Sequence, residues 1–279
     1  MIYASDLDRT LIYSLGALGV SEDSPGLIPA EVIDGRTVSY ISEQALSMLK
    51  SLTASNSIIF MPVTTRTIQQ YQRINLFQET VIPDYAITSN GGNILVNGVV
   101  DTSWRAAVGK LVESGSAAAE EVRVRVRSVV QEEWIISERY CDELFYTYVV
   151  HRDLLPLDEI NQLAERLDSM GWKVSLQGRK LYVVPAAVNK SDAIIHVRRT
   201  VQSEPLVASG DSLLDKSLLE SADYAISPCH GEIFAEQQSG LVQLKYPFTT
   251  QAGVFAADEI MQYVHMTYNN LALLGVGPE

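Results

Sequence analysis

Asp6 and Asp8 stand two residues apart, directly after the short apolar run Ile2-Tyr3-Ala4. That run reads as a strand, and at a strand's carboxyl end the curling chain lets both carboxylates converge on one bound ion. A carboxylate becomes a nucleophile toward phosphorus once a divalent cation screens the repulsion between two anions, and a second carboxylate nearby can carry the proton. Other stretches hold residues suited to the same chemistry. Thr64-Thr65-Arg66 follows a continuous apolar run over residues 57–63. A hydroxyl there can donate to a phosphoryl oxygen, and of Thr64 and Thr65 the first is favoured. Lys190 opens an expected helix, an electrostatically odd place for a cation because a helix N-terminus already carries partial positive charge; a bound anion would account for both. Asp211 follows another apolar strand pattern, and Asp215 comes four residues later. That spacing lets Asp211 ligate a metal while Asp215, one helical turn on, holds Lys190 or an ion-bound water. In Ser89-Asn90-Gly91-Gly92 the glycines permit a tight turn where backbone approaches a ligand.

The elements that must position these residues are legible from periodicity. After Asp6 to Thr10, residues 11–40 read as a mobile loop followed by a hairpin centred on Asp34-Gly35. A helix follows with Ser42 as its N-cap, Ala45, Leu46, Leu49 and Leu52 along one face, and Asn56 closing it. The apolar run 57–63 has the character of a parallel strand buried on both faces. A helix over 67–76, a third strand at Tyr85-Ala86-Ile87-Thr88, and a hairpin around Asn97-Gly98 come next. Strands alternating with helices imply an α/β fold with a doubly wound parallel sheet, whose ligands sit at the carboxyl ends of the strands.

Between residues 101 and 184 the pattern changes, which predicts an inserted smaller α/β domain inside a core made of 1–100 and 185–279. Trp104, Val108, Leu111 and Val112 mark one of its helix faces, and Leu157, Ile160, Leu163, Ala164 and Leu167 another. Residues 145–150 read as a strand, and 172–176 with 181–184 as a hairpin whose turn carries Arg179 beside Lys180. The segment 120–127 alternates charged residues with valine and suits either a strand or a helix, with a solvated face in both cases. In the tail, residues 223–226 form a strand, His230 follows in a loop, and 256–268 form a closing helix.

Composition narrows the function. With 279 residues, 47% of them hydrophobic, the chain can build a substantial core. A formal charge of −13 without a compensating basic cluster argues against nucleic acid or an anionic membrane as a partner and leaves a small molecule. Cys141 and Cys229 are too few for a disulfide framework or a zinc site. No apolar run reaches membrane-spanning length and no basic, then apolar, leader opens the sequence, so a cytoplasmic location is the expectation.

Taken together, Asp6-Leu7-Asp8-Arg9-Thr10, Thr64-Thr65-Arg66, Lys190 and Gly210-Asp211-Ser212-Leu213-Leu214-Asp215 resemble, in order and placement, the four motifs of the haloacid dehalogenase (HAD) superfamily. The inserted segment between the second and third motifs resembles the class II cap of the Cof-type and sucrose-phosphate-phosphatase-like branch. Two departures stand out: Thr65 replaces the usual glycine, and Leu214 replaces an asparagine. The resemblance implies a Rossmann-like core, a cap that reads the leaving group, and a Mg²⁺-dependent phosphatase of small phosphorylated metabolites. In that scheme Asp6 is the nucleophile and Asp8 the acid and base. Mg²⁺ is held by Asp6, Asp211 and the Asp8 carbonyl, and Thr10 and Asp215 support these ligands. Thr64, Thr65, Arg66, Asn90, Gly91 and Lys190 contact substrate. A phosphomutase of the same fold, returning the phosphoryl group to a sugar, is the alternative within this chemistry; a catalytically idle binding or regulatory module is the alternative outside it.

Overall fold

The opening apolar run forms β1 (Ile2–Ser5), buried along its whole length as a central strand must be. In the computed structural model, which describes residues 1–54, 57–240 and 243–273, this strand is the middle of the main sheet. The next three strands, β2 (Tyr13–Ser14), β3 (Leu27–Ile33) and β4 (Arg36–Ser42), make a separate antiparallel sheet in the order β2-β4-β3. Asp34 and Gly35 turn the hairpin with φ of 50° and 74°, the left-handed pair that matches strand twist. Residues 13 and 14 are part of that sheet rather than of a loop, because Tyr13 and Ser14 pair with Tyr40 and Ser39.

Helix α1 (Glu43–Ala54) starts where the Ser42 hydroxyl accepts the Ala45 N–H at 3.0 Å, and it buries Ala45, Leu46, Leu49 and Leu52. Asn56, expected to close it, lies outside the described residues. Strand β5 (Ile59–Pro62) pairs parallel to β1. The helix expected over 67–76 is shorter: α2 (Ile68–Gln72) has a reciprocal cap between Thr67 and Gln70, and a wide turn over Leu76–Thr80 follows. Ile74, Leu76 and Phe77 are all buried. Their spacing does not fit one face of a continuing helix, so the chain leaves it to bury them. Strands β6 (Tyr85–Thr88), β7 (Asn93–Val96) and β8 (Val99–Val100) form an antiparallel set. A parallel bridge from Val63 to Ile87, with the Thr64 N–H on the Ile87 carbonyl at 2.8 Å, ties β6 to the end of β5.

The chain then builds a second compact unit, Asp101–Asn189. It contains α3 (Thr102–Gly115), α4 (Ala119–Arg127), β9 (Ile135–Cys141), β10 (Phe145–Val150), α5 (Leu157–Ser169), β11 (Trp172–Gln177) and β12 (Lys180–Pro185), with an antiparallel sheet ordered β11-β12-β10-β9. Val122, Val126, Tyr148, Leu163, Leu167 and Trp172 share its core. Residues 185–189 belong to this unit, five beyond the boundary read from the sequence. The alternating segment 120–127 is helical, which buries Val122 and Val126 one turn apart and leaves Val124 61% exposed. Leu111 is exposed rather than on the buried face of α3.

The first unit resumes with α6 (Lys190–Val201), β13 (Leu206–Ser209), α7 (Lys216–Ser221), β14 (Tyr224–Ile226), α8 (Glu232–Gln238) and α9 (Ala256–Leu273). Its main sheet runs β14-β13-β1-β5, all parallel, giving the Rossmann-like α/β architecture. Tyr3, Leu49, Phe60, Ile226, Ile260 and Val264 meet in its core. The closing helix α9 extends five residues past Tyr268, since its buried face continues to Leu271. No described helix is long and apolar enough to cross a membrane.

Candidate active site

Strands β1 and β13 pair with Ser5 opposite Ser209, so the residues that leave their carboxyl ends emerge side by side. The Asp6 N–H donates to the Ser209 carbonyl at 2.9 Å, which fixes where the Asp6 side chain starts. Beneath it, the Ser5 and Ser209 hydroxyls lie 2.8 Å apart and the Tyr3 hydroxyl is 3.1 Å from Ser209, a buried polar trio that satisfies itself. Asp6, Asp211 and Asp215 each bring a carboxylate oxygen to within 4.8 Å of the others, and all three are buried. Such an all-oxygen, anionic set suits a hard divalent cation.

Lys190 is fully buried among them. Its Nζ lies 2.6 Å from Asp6 Oδ1 and also pairs with Asp215 Oδ1. Burial alone would lower the Lys190 pKa, but Asp215 and Asp6 outweigh it and raise the group above its usual value. For Asp6 burial dominates, Asp215 adds repulsion, Lys190 opposes both, and the net effect pushes the carboxyl up to about 7. Asp211 is raised as well, by burial first and then by Asp6 and Asp215, with Arg9 pulling the other way.

Several backbone features let the carboxylates approach so closely. A Cβ on Gly210 would stand 2.5 Å from the Asp215 Cβ, and one on Gly231 would stand 2.3 Å from the Asp211 carbonyl oxygen. Asp215 is fixed further by the Ser212 N–H at 2.9 Å and the Ser212 hydroxyl at 2.7 Å on Oδ2. After Asp6 the chain folds back on itself, the Leu7 carbonyl accepting from Thr10, Leu11 and Ile12. This turn places the Thr10 hydroxyl 3.3 Å from Asp6 Oδ2 and carries Arg9 at φ 65°.

Asp8 is not one of the three clustered carboxylates, although its charge adds to the repulsion felt at Asp6. Arg66 grips both its oxygens at 2.8 Å, and the third guanidinium nitrogen reaches Glu31 at 2.7 Å. Thr64 is buried at the end of β5, where its hydroxyl accepts the Arg66 N–H at 3.1 Å; Thr65 is half-buried. The Thr64 carbonyl accepts the Asn90 N–H at 3.0 Å, and the Arg66 carbonyl accepts that of Ser89 at 2.7 Å. Asn90 and Gly91, both buried, are thereby drawn beside Thr64, in a turn with φ of 55°, 57° and 98° at Ser89, Asn90 and Gly91. Arg179 and Lys180 are exposed at the β11–β12 turn of the other unit.

Three neighbours carry no role in the sequence reading. Arg9 Nε donates to Asp211 Oδ2 at 3.1 Å, and its place between Asp8 and Thr10 was a usable signal. His230 Nε2 bonds the Arg9 carbonyl at 2.9 Å, and its Nδ1 accepts the Gly253 N–H at 3.2 Å, so it braces the same loop. Glu31 had no local signal, since a carboxylate in a hairpin is ordinarily solvated.

Comparison with known proteins supplies the family. The model of the sucrose-6F-phosphate phosphohydrolase family matches residues 1–246. No curated protein sequence matches significantly. Among solved structures, the sucrose-phosphatase from Synechocystis sp. PCC6803, determined with sucrose and phosphate, superposes with a TM-score of 0.68 at 17% identity, over 95% of this chain and 97% of that one. A Thermoplasma acidophilum protein gives 0.60 at 11% identity, over 95% and 97%. A sugar phosphatase of HAD subclass IIB gives 0.58 at 13% identity, over 95% and 98%. At these identities the structural likeness speaks for the fold, while the family match covers most of the chain and all four motifs. The chain therefore belongs to the sucrose-6F-phosphate phosphohydrolase family of the HAD superfamily and is a phosphoric monoester hydrolase.

Proposed function

We propose that the chain hydrolyses a phosphorylated sugar, with Mg²⁺ bound at Asp6 and Asp211 and with Asp6 as the nucleophile. The observation that carries this reading is the buried set of Asp6, Asp211 and Asp215 around Lys190, at the carboxyl ends of β1 and β13. Three buried carboxylates meet one buried ammonium and the half-exposed Arg9 guanidinium there, and a dication held by oxygen donors relieves the remaining negative charge. When bound, Mg²⁺ supplies charge neutralisation on the phosphoryl oxygens and orients them for in-line attack. An Asp6 oxygen forms a bond to phosphorus as the bond to the sugar oxygen breaks, and Asp8 gives that oxygen its proton. Asp8 then takes a proton from water, whose oxygen attacks phosphorus and releases Asp6 and inorganic phosphate. Lys190 and the Thr64 hydroxyl stabilise the transferring oxygens, Thr10 orients Asp6, and Asp215 holds Lys190. Thr65, Asn90 and Gly91 line the substrate side of the same strand ends.

A screen of sugar phosphates for released phosphate, run beside an assay for isomer formation, tests the reaction; isomer in excess of phosphate would make the chain a mutase. The metal is tested without activity. Protons and Mg²⁺ compete for Asp6, whose pKa of about 7 exceeds its unfolded value. The folded state therefore binds more protons between about pH 4 and 7, and this group's contribution to stability falls as pH rises through that window. Mg²⁺ binds the ionised form, so the rise in Tm on adding Mg²⁺ should be small at pH 5 and several degrees at pH 8. Equal shifts at both pH values, or none, would remove the cation from this site. Activity should be lost in chelator and restored by Mg²⁺, with Ca²⁺ a poor substitute because its longer, looser coordination misplaces the phosphoryl group.

A further inference from the structure

We infer that Arg66 is a positioning residue for Asp8, and that the bulged β3–β4 hairpin delivers Glu31 to hold Arg66 at that task. The inference rests on the phosphatase reading above and assigns Arg66 away from the substrate. Its guanidinium chelates Asp8, Nε to Oδ2 and Nη2 to Oδ1, both at 2.8 Å, and its remaining nitrogen is 2.7 Å from Glu31 Oε2. Bidentate pairing of this kind fixes direction as well as distance. The Asp8 side chain is 39% exposed, and the contact of Arg66 with both of its oxygens defines the plane in which the carboxylate lies.

Glu31 is built for the purpose. Its side chain is buried, and a buried carboxylate is costly unless paired. Two arginines neutralise it, Arg66 hydrogen-bonding one oxygen and Arg73 standing 3.3 Å from the other as an ion pair without a hydrogen bond. The pairing register of β3 with β4 shifts on both sides of Glu31, an irregularity that re-aims a side chain out of the pleat. The next residue is anchored as well, the Val32 N–H donating to Asn75 Oδ1 at 3.0 Å. Arg66, Arg73 and Asn75 thus fasten the hairpin to the segment that follows Thr64, and the fastening ends on Asp8. A phosphate-binding arginine turns a pair of N–H groups to the anion, whereas this one turns its Nε and Nη2 pair to Asp8 and its Nη1 to Glu31.

The test uses the leaving group. A sugar phosphate loses a poor leaving group that needs the Asp8 proton, whereas 4-nitrophenyl phosphate loses a stable phenolate that does not. Arg66→Lys keeps the charge but cannot chelate. It should lower kcat/KM for the sugar ester about a hundredfold, the scale of a misplaced general acid, and for the nitrophenyl ester less than tenfold, with KM little changed. Glu31→Gln, a milder change that guards against misfolding of the first variant, should show the same selectivity at about tenfold. In an Asp8→Asn background, Arg66→Lys should cost nothing further on the sugar ester. Equal losses on both esters, a raised KM with kcat retained, or additive effects in the double variant would overturn the positioning role and return Arg66 to the substrate. A wild-type protein that hydrolyses neither ester would instead overturn the phosphatase reading itself.

Discussion

Asp6→Asn is expected to lower turnover at least about a thousandfold while the protein stays folded. Asparagine has the same shape, and its amide can still accept from Lys190 through oxygen and meet the Thr10 hydroxyl. What it lacks is the anion that attacks phosphorus and one of the charges that draws in Mg²⁺. The fold should tolerate the change because the Asp6 charge is itself a burden: burial pushes the group up to about 7, so the native environment disfavours its ionised form. Two readouts separate these effects. Phosphate release reports the nucleophile, and the Mg²⁺-induced rise in Tm, which should shrink in the variant, reports the lost ligand. Activity within tenfold of the wild type would take Asp6 out of the mechanism.

Lys190→Met should be the most damaging single substitution to both stability and activity. The side chain is fully buried and touches Asp6 and Asp215, so its removal strands two carboxylates without a counter-charge, a change on the order of 3 to 5 kcal/mol. The sign with pH is fixed by the direction of the shift. The folded pKa lies above the unfolded value, so the stabilisation from Lys190 is complete below about pH 10.5 and is lost only as pH rises through the folded pKa. The wild type therefore keeps it throughout the neutral range. In the variant the stranded carboxylates can protonate, so the stability gap should narrow as pH falls from 8 to 5. Urea denaturation of both proteins at those two pH values checks this, and a gap that widens on acidification would contradict the charge assignment. Activity should fall with it, since Lys190 also faces the transferring oxygens in the proposed mechanism.

The parts of the fold that were legible in the sequence are those governed by local rules. Ser42 and the Ala45, Leu46, Leu49, Leu52 stripe announced α1, and Asp34-Gly35 and Asn97-Gly98 announced their hairpins, because a cap, a helical period and a left-handed turn are each decided within a few residues. Asp6, Lys190, Asp211 and Asp215 were legible for a different reason: each sits at a strand end or helix start, where the element itself points the side chain. What escaped depended on partners far along the chain. Strand β9 was missed because it buries only Cys141 and so lacks the apolar alternation of a half-buried strand. The valines at 122, 124 and 126 alternate as a strand would, yet helix formation lets Arg123 and Arg127 both reach Glu138 while two valines enter the core. The grip of Arg66 on Asp8 spans 58 positions, and that on Glu31 spans 35. No window of local pattern contains either.

The pairing of Ser5 with Ser209 also dictates an order of events during synthesis. Strand β1 leaves the ribosome well before its partner β13, which follows about two hundred residues later, the two serines being 204 positions apart. The unit Asp101–Asn189 is continuous and is complete before β13 exists. A nascent chain therefore finishes its insertion while β1, apolar on both faces, has only β5 beside it, an exposure of the kind that chaperones attend. Chains truncated at residue 205 and released from the ribosome should resist protease within 101–189 and be cut within 1–100. Asp6 waits through all of this for Lys190, Asp211 and Asp215, so a product truncated before residue 215 cannot assemble the carboxylate cluster, and the phosphatase stays inactive until β13 and the turn that follows it arrive.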